Sequence, residues 1–395
     1  MAVSLVAQAP EVKERRLPNG FQVLLVERPG LGAVHAHLMV RAGRADTGAL
    51  PAVAAELLAR TLFRRILPGD VSAEAGLDAL LRQEEGAFEA LRLERTRRLR
   101  LRLSEPSAEE VGLVQLHSSR MAELRSRASA SPLDLLDGLG ATRREITAEA
   151  DAISFRLDLP LASFEPWCRL EQHHLQRLTL ARFALEREIW NEDLAKGAPA
   201  EEGALSILLG TAFSGHPYAQ VLESRPGMLD GLTWSELRAF AHGTISPERM
   251  TLILVGDLTM ERALPVLQET FGGLMPSPTT FGQRRDLPGD LSAGPGYRRL
   301  QASTAGDPRL FMAWRVPPAS HPDSVALKVL VQILGGSKNA RLLRRVQEAR
   351  GLTKRLSIKI GVPGGRDPSL LLIEAVPAEG HGLAEVEEAI HSEIL

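Results

Sequence analysis

Ten histidines and a single cysteine supply the soft metal ligands and the obvious nucleophile in this 395-residue chain. His35 and His37 stand two apart in an alternating stretch, so on a strand they share one face. With Glu56 they form a candidate metal set; the plainer reading is a pair of surface or partly buried imidazoles. His173 and His174 follow Glu171 on a helical stretch and, being adjacent, diverge, which suits surface residues better than ligands. Cys168 lies beside Trp167 and reads as a core thiol rather than a nucleophile. One cysteine excludes an intrachain disulfide framework and a Cys-rich zinc ribbon. The chain has no Gly-x-Ser-x-Gly elbow and no phosphate-binding glycine loop.

The elements that must position these residues show a repeated pattern. After a turn at Pro18-Asn19-Gly20 come the strand Phe21–Val26 and the alternating strand Ala33–Val40. Leu50–Phe63 then carries Val53, Leu57, Leu58 and Leu62 at helical spacing. The same order returns when Leu310, Met312, Trp314 and Val316 alternate, Pro317-Pro318 turns the chain, and Val325–Leu334 forms an apolar helix. A strand–loop–helix unit used twice, far apart in the chain, predicts a duplicated α+β domain rather than a solenoid of short repeats. Leu77–Ser131, dense in Arg, Glu, Leu and Ala, predicts two antiparallel helices broken near Ser104-Glu105-Pro106. Its run Arg92–Arg102 interleaves leucine with arginine beside Glu84, Glu85, Glu89 and Glu94, the pattern of a solvated amphipathic helix rather than a nucleic-acid site.

Bulk composition narrows the classes. With 44% hydrophobic and 24% charged residues, the chain is ordinary globular protein. At this length two domains or more are expected. A net charge of -2 gives no global field to recruit nucleic acid or an anionic membrane. No apolar run is long enough to span a bilayer. Met1–Ala9 ends in Ala7-Gln8-Ala9, an A-x-A pattern without a basic n-region, and reads as a signal-peptide remnant or a disordered end.

An ordered set of segments resembles the pitrilysin/insulinase family of zinc metallopeptidases, relatives of the mitochondrial processing peptidase. They are Arg16-Leu17-Pro18-Asn19-Gly20-Phe21-Gln22-Val23, Val40-Arg41-Ala42-Gly43, Phe213-Ser214-Gly215-His216-Pro217-Tyr218, Leu232 through Phe240 and Leu254-Val255-Gly256-Asp257. His321-Pro322-Asp323, Leu334-Gly335-Gly336, Ala340-Arg341-Leu342 and Gly351-Leu352 continue the family's order. The resemblance implies an α+β fold, a duplicated two-domain clamshell half in which each domain is an antiparallel-rich sheet packed with helices. On that basis residues 1–12 form a terminal remnant, 13–274 an N-terminal peptidase-like domain with a helical insertion at 77–131, 275–296 a Pro/Gly/Ser/Thr-rich linker, and 297–395 a C-terminal α+β domain. That last domain reaches Leu395 inside what resembles its penultimate helix and so reads as incomplete.

The family binds zinc through His-x-x-Glu-His on a helix plus a distant acid. Two histidines one turn apart face the same metal, and the glutamate activates its water. Anchored on Thr61-Leu62-Phe63, the first histidine position is Glu56, the general-base position Ala59 and the second histidine position Arg60, while Asp193 falls on the remote acid. An arginine places a permanent cation where a dication would sit. Arg60 either forms a buried ion pair with Glu56 and Asp193 that fills the empty site, or points into a widened, wet cavity. The substrate-holding Arg and Tyr of active members fall on Gln347 and Lys354. His216, inside a family signature, takes a structural role. Peptide docking, if retained, would use the segment Glu145–Leu157, with Ile153, Ser154 and Phe155 on an edge strand, although Glu145-Ile146-Thr147-Ala148 replaces the family's Asn-Ala-x-Thr.

The resulting expectation is a catalytically inactive homologue or noncatalytic subunit. No zinc or other cofactor is expected in this chain, although the family uses zinc. The partner would be a second copy or an active homologue, with a peptide or protein substrate, and the placement periplasmic or extracytoplasmic, with the cytoplasm as the alternative. A working metalloendopeptidase with unconventional ligands, for instance Glu56, Glu192, Asp193 and a histidine from elsewhere, is the enzyme alternative.

Overall fold

In the computed structural model of the chain, the residues described are 10–63, 71–128, 133–178, 180, 182–195, 200–222, 227–277, 299–302 and 307–394. Residues 1–9 of the expected remnant at 1–12, and most of the expected linker at 275–296, lie outside them. In chain order the elements are β1 (Lys13–Arg16), β2 (Gln22–Glu27), β3 (Ala33–Val40), α1 (Val53–Phe63), α2 (Val71–Arg100), α3 (Ala108–Ala128), α4 (Leu133–Gly138), β4 (Thr142–Ala148) and β5 (Ile153–Pro160). There follow α5 (Phe164–Arg177), α6 (Phe183–Ala195), α7 (Ala200–Ala212), α8 (Trp234–Thr244), β6 (Met250–Gly256), α9 (Met260–Thr270), β7 (Leu310–Val316), α10 (Ser324–Gly335), β8 (Thr353–Val362), β9 (Ser369–Pro377) and α11 (Leu383–Ile394). The fold is α+β, with antiparallel-rich sheets packed with helices.

The chain divides into two compact units. One gathers residues 1–148, 152–197 and 224–283; the other gathers 149–151, 198–223 and 284–395. The division is not the single cut drawn from sequence, because 149–151 and the α7 segment join the second unit. Contacts distant in sequence decide such membership.

In the first unit a six-stranded sheet runs β1-β2-β6-β3-β5-β4. The late strand β6 enters between β2 and β3, parallel to the former and antiparallel to the latter. Gly256 ends it where a Cβ would stand 2.3 Å from the Ala33 carbonyl oxygen, so only glycine admits this approach. Asn19 explains the Pro-Asn-Gly turn. Its amide donates to the carbonyls of Phe271 (2.7 Å) and Leu274 (3.0 Å), tying the β1–β2 hairpin to the segment after α9. Phe21 stacks on Phe271 with ring centroids 4.8 Å apart, beside fully buried Trp167 and Cys168. A capping box starts α8: the Thr233 hydroxyl accepts from the Glu236 N–H, and the Glu236 carboxylate accepts from the Thr233 N–H.

The helical insertion begins at Val71, earlier than expected, and its break falls between Arg100 and Ala108 as the sequence predicts. The second unit's sheet is antiparallel in the order β7-β9-β8. Its core gathers Met312, Val331, Leu334, Leu342, Val346, Ile373 and Ile390. Among the described residues no helix is long and apolar enough to cross a membrane.

Candidate functional site

The positions singled out on α1 sit on a helix buried almost all round. Val53, Ala54, Ala55, Leu57, Leu58, Ala59 and Leu62 are buried against β4, β5, α6 and α8, and small residues let these neighbours approach. Glu56 and Arg60, one turn apart, share the half-buried remainder of the surface. Both Glu56 carboxylate oxygens are engaged. Arg60 Nε donates to Oε1 (3.3 Å), and Arg44 Nη2 donates to Oε2 (3.0 Å). Arg44 is held in turn by its Nε, which donates to the Ala148 carbonyl at the end of β4 (2.9 Å). The Arg60 guanidinium carbon stands 4.1 Å from the Trp190 ring centroid, a cation–π contact with α6. Asp193, one turn further along α6, is exposed. The expected pairing of Arg60 with Glu56 is present, and Arg44 joins it. No spacing rule points to Arg44, twelve residues before Glu56 and brought there only by the turn after β3.

Zinc does not fit this donor set. Two guanidinium groups already occupy the Glu56 carboxylate, Arg60 brings a fixed cation, and the fully buried Ala59 offers no base. Among the described residues no three His, Cys, Asp or Glu side chains gather closely enough to hold a metal.

The histidine alternative with Glu56 finds other partners. His35 Nδ1 lies 2.6 Å from Asp158 Oδ1, and His37 Nε2 lies 3.0 Å from Ser154 Oγ, both across the β3–β5 pair. Burial pushes the His37 imidazole below its ordinary value, with Arg156 adding to the shift. Burial likewise pushes the Cys168 thiol well up, away from the reactive thiolate. His216 accepts from the Tyr218 N–H (3.1 Å), the structural part expected of it.

Two placements differ from the sequence reading. Ile153, Ser154 and Phe155 lie on β5, which pairs with β3 on one side and β4 on the other, so they are not on an edge. The edge strand is β4, with an irregularity between Thr142 and Glu145 where Arg143 adopts φ 47°. Period-2 alternation marks a strand but not its neighbours. In the second unit, Gln347 and Lys354 meet: Gln347 Nε2 donates to the Lys354 carbonyl (2.9 Å), and Gln347 sits in a short π-helical turn at Leu343–Glu348.

One buried pair escaped the sequence reading. Glu84 of α2 and Arg187 of α6, both almost wholly buried, pair at 2.6 Å. Arg187 also lies 3.5 Å over the Phe88 ring and donates to the Leu232 carbonyl, while His117 of α3 reaches the same Glu84 oxygen at 3.0 Å. The Glu84-x-x-x-Phe88 spacing, one turn on α2, is the only local signal of this contact.

A family model described as the peptidase M16 inactive domain matches residues 231–395. An uncharacterized zinc protease of Mycobacterium leprae is 27% identical over 169 residues, covering 42% of this chain and 38% of that protein. An uncharacterized zinc protease of Mycobacterium tuberculosis is 26% identical over 173 residues, again 42% of this chain and 38% of that protein. The matched segment thus spans well under half of these curated relatives. A protease from Helicobacter pylori shares the fold with a TM-score of 0.70 at 14% identity, covering 98% of this chain and 79% of that one. A peptidase M16 inactive domain structure from Pseudomonas fluorescens does so with a TM-score of 0.64 at 20% identity, covering 97% and 79%. Pitrilysin itself gives 0.55 at 14% identity, covering 98% of this chain and 36% of its own. Residues 231–395 are thus similar to the peptidase M16 inactive domain, and nearly the whole chain shares its fold with solved proteins of that kind.

Proposed function

We propose that this chain is a noncatalytic M16-family protein. It would hold peptide, or complete a peptidase assembly with an active homologue or a second copy, without cutting peptide itself. The observation that carries the reading is the Arg44–Glu56–Arg60 network with Ala59 beside it. The helix that would bear metal ligands and a base instead bears a neutralised carboxylate, a cation and a methyl group. Peptide would add to the outer edge of β4, whose Glu145, Ile146 and Thr147 follow the bulge. Export to the periplasm is part of the proposal and rests on the A-x-A pattern near the N-terminus.

The test is metal content after incubation with zinc and desalting. The expected result is less than about a tenth of an equivalent retained. Close to one equivalent, abolished by Glu56→Ala or Asp193→Ala, would establish an unconventional metal centre and overturn the noncatalytic reading.

A further inference from the structure

The insertion hairpin carries a surface that neither its own folding nor the α1 site uses. Helices α2 and α3 pack as an antiparallel pair, and buried positions of α2 recur at alternating steps of three and four at Leu77, Leu80, Glu84, Ala87 and Leu91, with Leu81 buried beside them. Toward the tip this seam turns polar. Glu94 accepts from the Ser107 hydroxyl (2.7 Å), and Arg98 pairs with Glu110 (2.8 Å). The apolar residues there stand off the seam. Leu93 is 64% exposed, Leu99 70%, Leu101 58% and Leu103 54%. A hairpin that needed only to fold would place leucine at the positions of Glu94 and Arg98 and charge at those of Leu99 and Leu103. This one does the reverse.

The same tip is cationic. Residues 92–105 hold six arginines against two glutamates, although the whole chain carries a net charge of -2. Several of the arginines pair with Glu94, Glu109 and Glu110. Arg100 and Arg102 have no ion-pair partner among the described residues, and they alternate with the three exposed leucines in the order Leu99-Arg100-Leu101-Arg102-Leu103. Arg102 holds φ 54° where the chain leaves α2, a conformation that favours glycine, so a cation stands where backbone geometry alone would select none.

We propose that this tip docks on an anionic lipid surface, with Leu99, Leu101 and Leu103 entering the interface and Arg100 and Arg102 meeting headgroup phosphates. The chemistry separates this occupant from others. A five-residue tip is far smaller than the roughly 800 Å² per partner that a specific protein interface buries, whereas a deformable bilayer interface accepts isolated leucine side chains. Single-stranded nucleic acid would call for stacking aromatics, and no Phe, Trp or Tyr occurs from Glu89 to Ala128. Guanidinium groups reach phosphate oxygens in a bidentate manner while their stems lie along apolar surface.

The experiment is co-sedimentation of the 395-residue protein with vesicles of phosphatidylcholine alone and of phosphatidylcholine and phosphatidylglycerol in equal parts. The expected result is binding to the anionic vesicles only, weakened by salt. Because each basic residue near an anionic surface changes affinity about fivefold, Arg100→Gln/Arg102→Gln should lower binding by about tenfold or more. Leu99→Ser/Leu101→Ser/Leu103→Ser should lower it comparably, with both variants keeping the wild-type circular dichroism and melting curve. Failure of the wild type to bind the anionic vesicles would overturn the proposal. So would unchanged binding in the leucine variant, since it would reduce the tip to a nonspecific cationic patch.

Discussion

Helix α1 follows the interior strand β3 and α10 the edge strand β7, and with similar apolar content they meet different surroundings. Around α1 the side chains are buried on nearly every side, under α6, α8, β4 and β5. On α10 only Val331 and Leu334 are buried, while Val325, Val329 and Ile333, spaced four apart, form an exposed stripe with Leu330 beside it. Apolar periodicity states how much surface a helix can bury, and neighbouring elements decide how much it does bury. The same contrast holds for charge. The first unit encloses Glu84 and Arg187 completely, whereas the second keeps pairs such as Arg345 and Glu393 near water.

The largest test of this contrast removes a charge. Arg187→Ala strands Glu84 in the core and should cost about 3–5 kcal/mol, while Arg345→Ala should cost about 0–1 kcal/mol. Denaturant unfolding of both variants checks it, and similar losses would erase the difference between the units. Next comes packing. Leu58→Ala on α1 should cost about 2–5 kcal/mol, whereas Val329→Ala on α10 should stay within about 0.5 kcal/mol. A costly Val329→Ala would mean that the stripe is covered in solution, and sedimentation velocity would then show by what.

Smaller effects sharpen the reading of the α1 surface. Glu56→Ala leaves the Arg44 and Arg60 cations facing each other and should cost about 1–3 kcal/mol, measured by the same unfolding curves. Glu56→Gln, which keeps the acceptor, should cost less. The smallest effect is the pH dependence of His37. Its folded value lies below the unfolded one, so the unfolded chain binds the extra proton first. The stability it contributes is full above the ordinary histidine value and is lost as pH falls toward the folded value. His37→Gln should flatten the fall in melting temperature on acidification below about pH 6.5. An unchanged slope would assign that acid sensitivity to other groups.

Much of this organisation was legible in the residues. Alternation in Ala33–Val40 and Leu310–Val316, helical spacing after each and the break near Pro106 are local patterns, and local patterns survive without a fold. Val255-Gly256-Asp257 and Pro18-Asn19-Gly20 were readable as signatures, though their cause, a carbonyl 2.3 Å from a would-be Cβ and an asparagine tied to the segment after α9, was not.

What the tertiary structure alone decided concerns partners distant in sequence. It placed β5 inside the sheet and left β4 at its edge, since a strand's own alternation carries no record of what lies beside it. It brought Arg44 to Glu56 and Arg187 to Glu84, and it moved the α7 segment into the second unit. Residue types and their local spacing fix which side chains can be buried, charged or turned. Pairing between elements far apart in the chain is chosen by how all their surfaces fit at once, and that information exists only when the chain is folded.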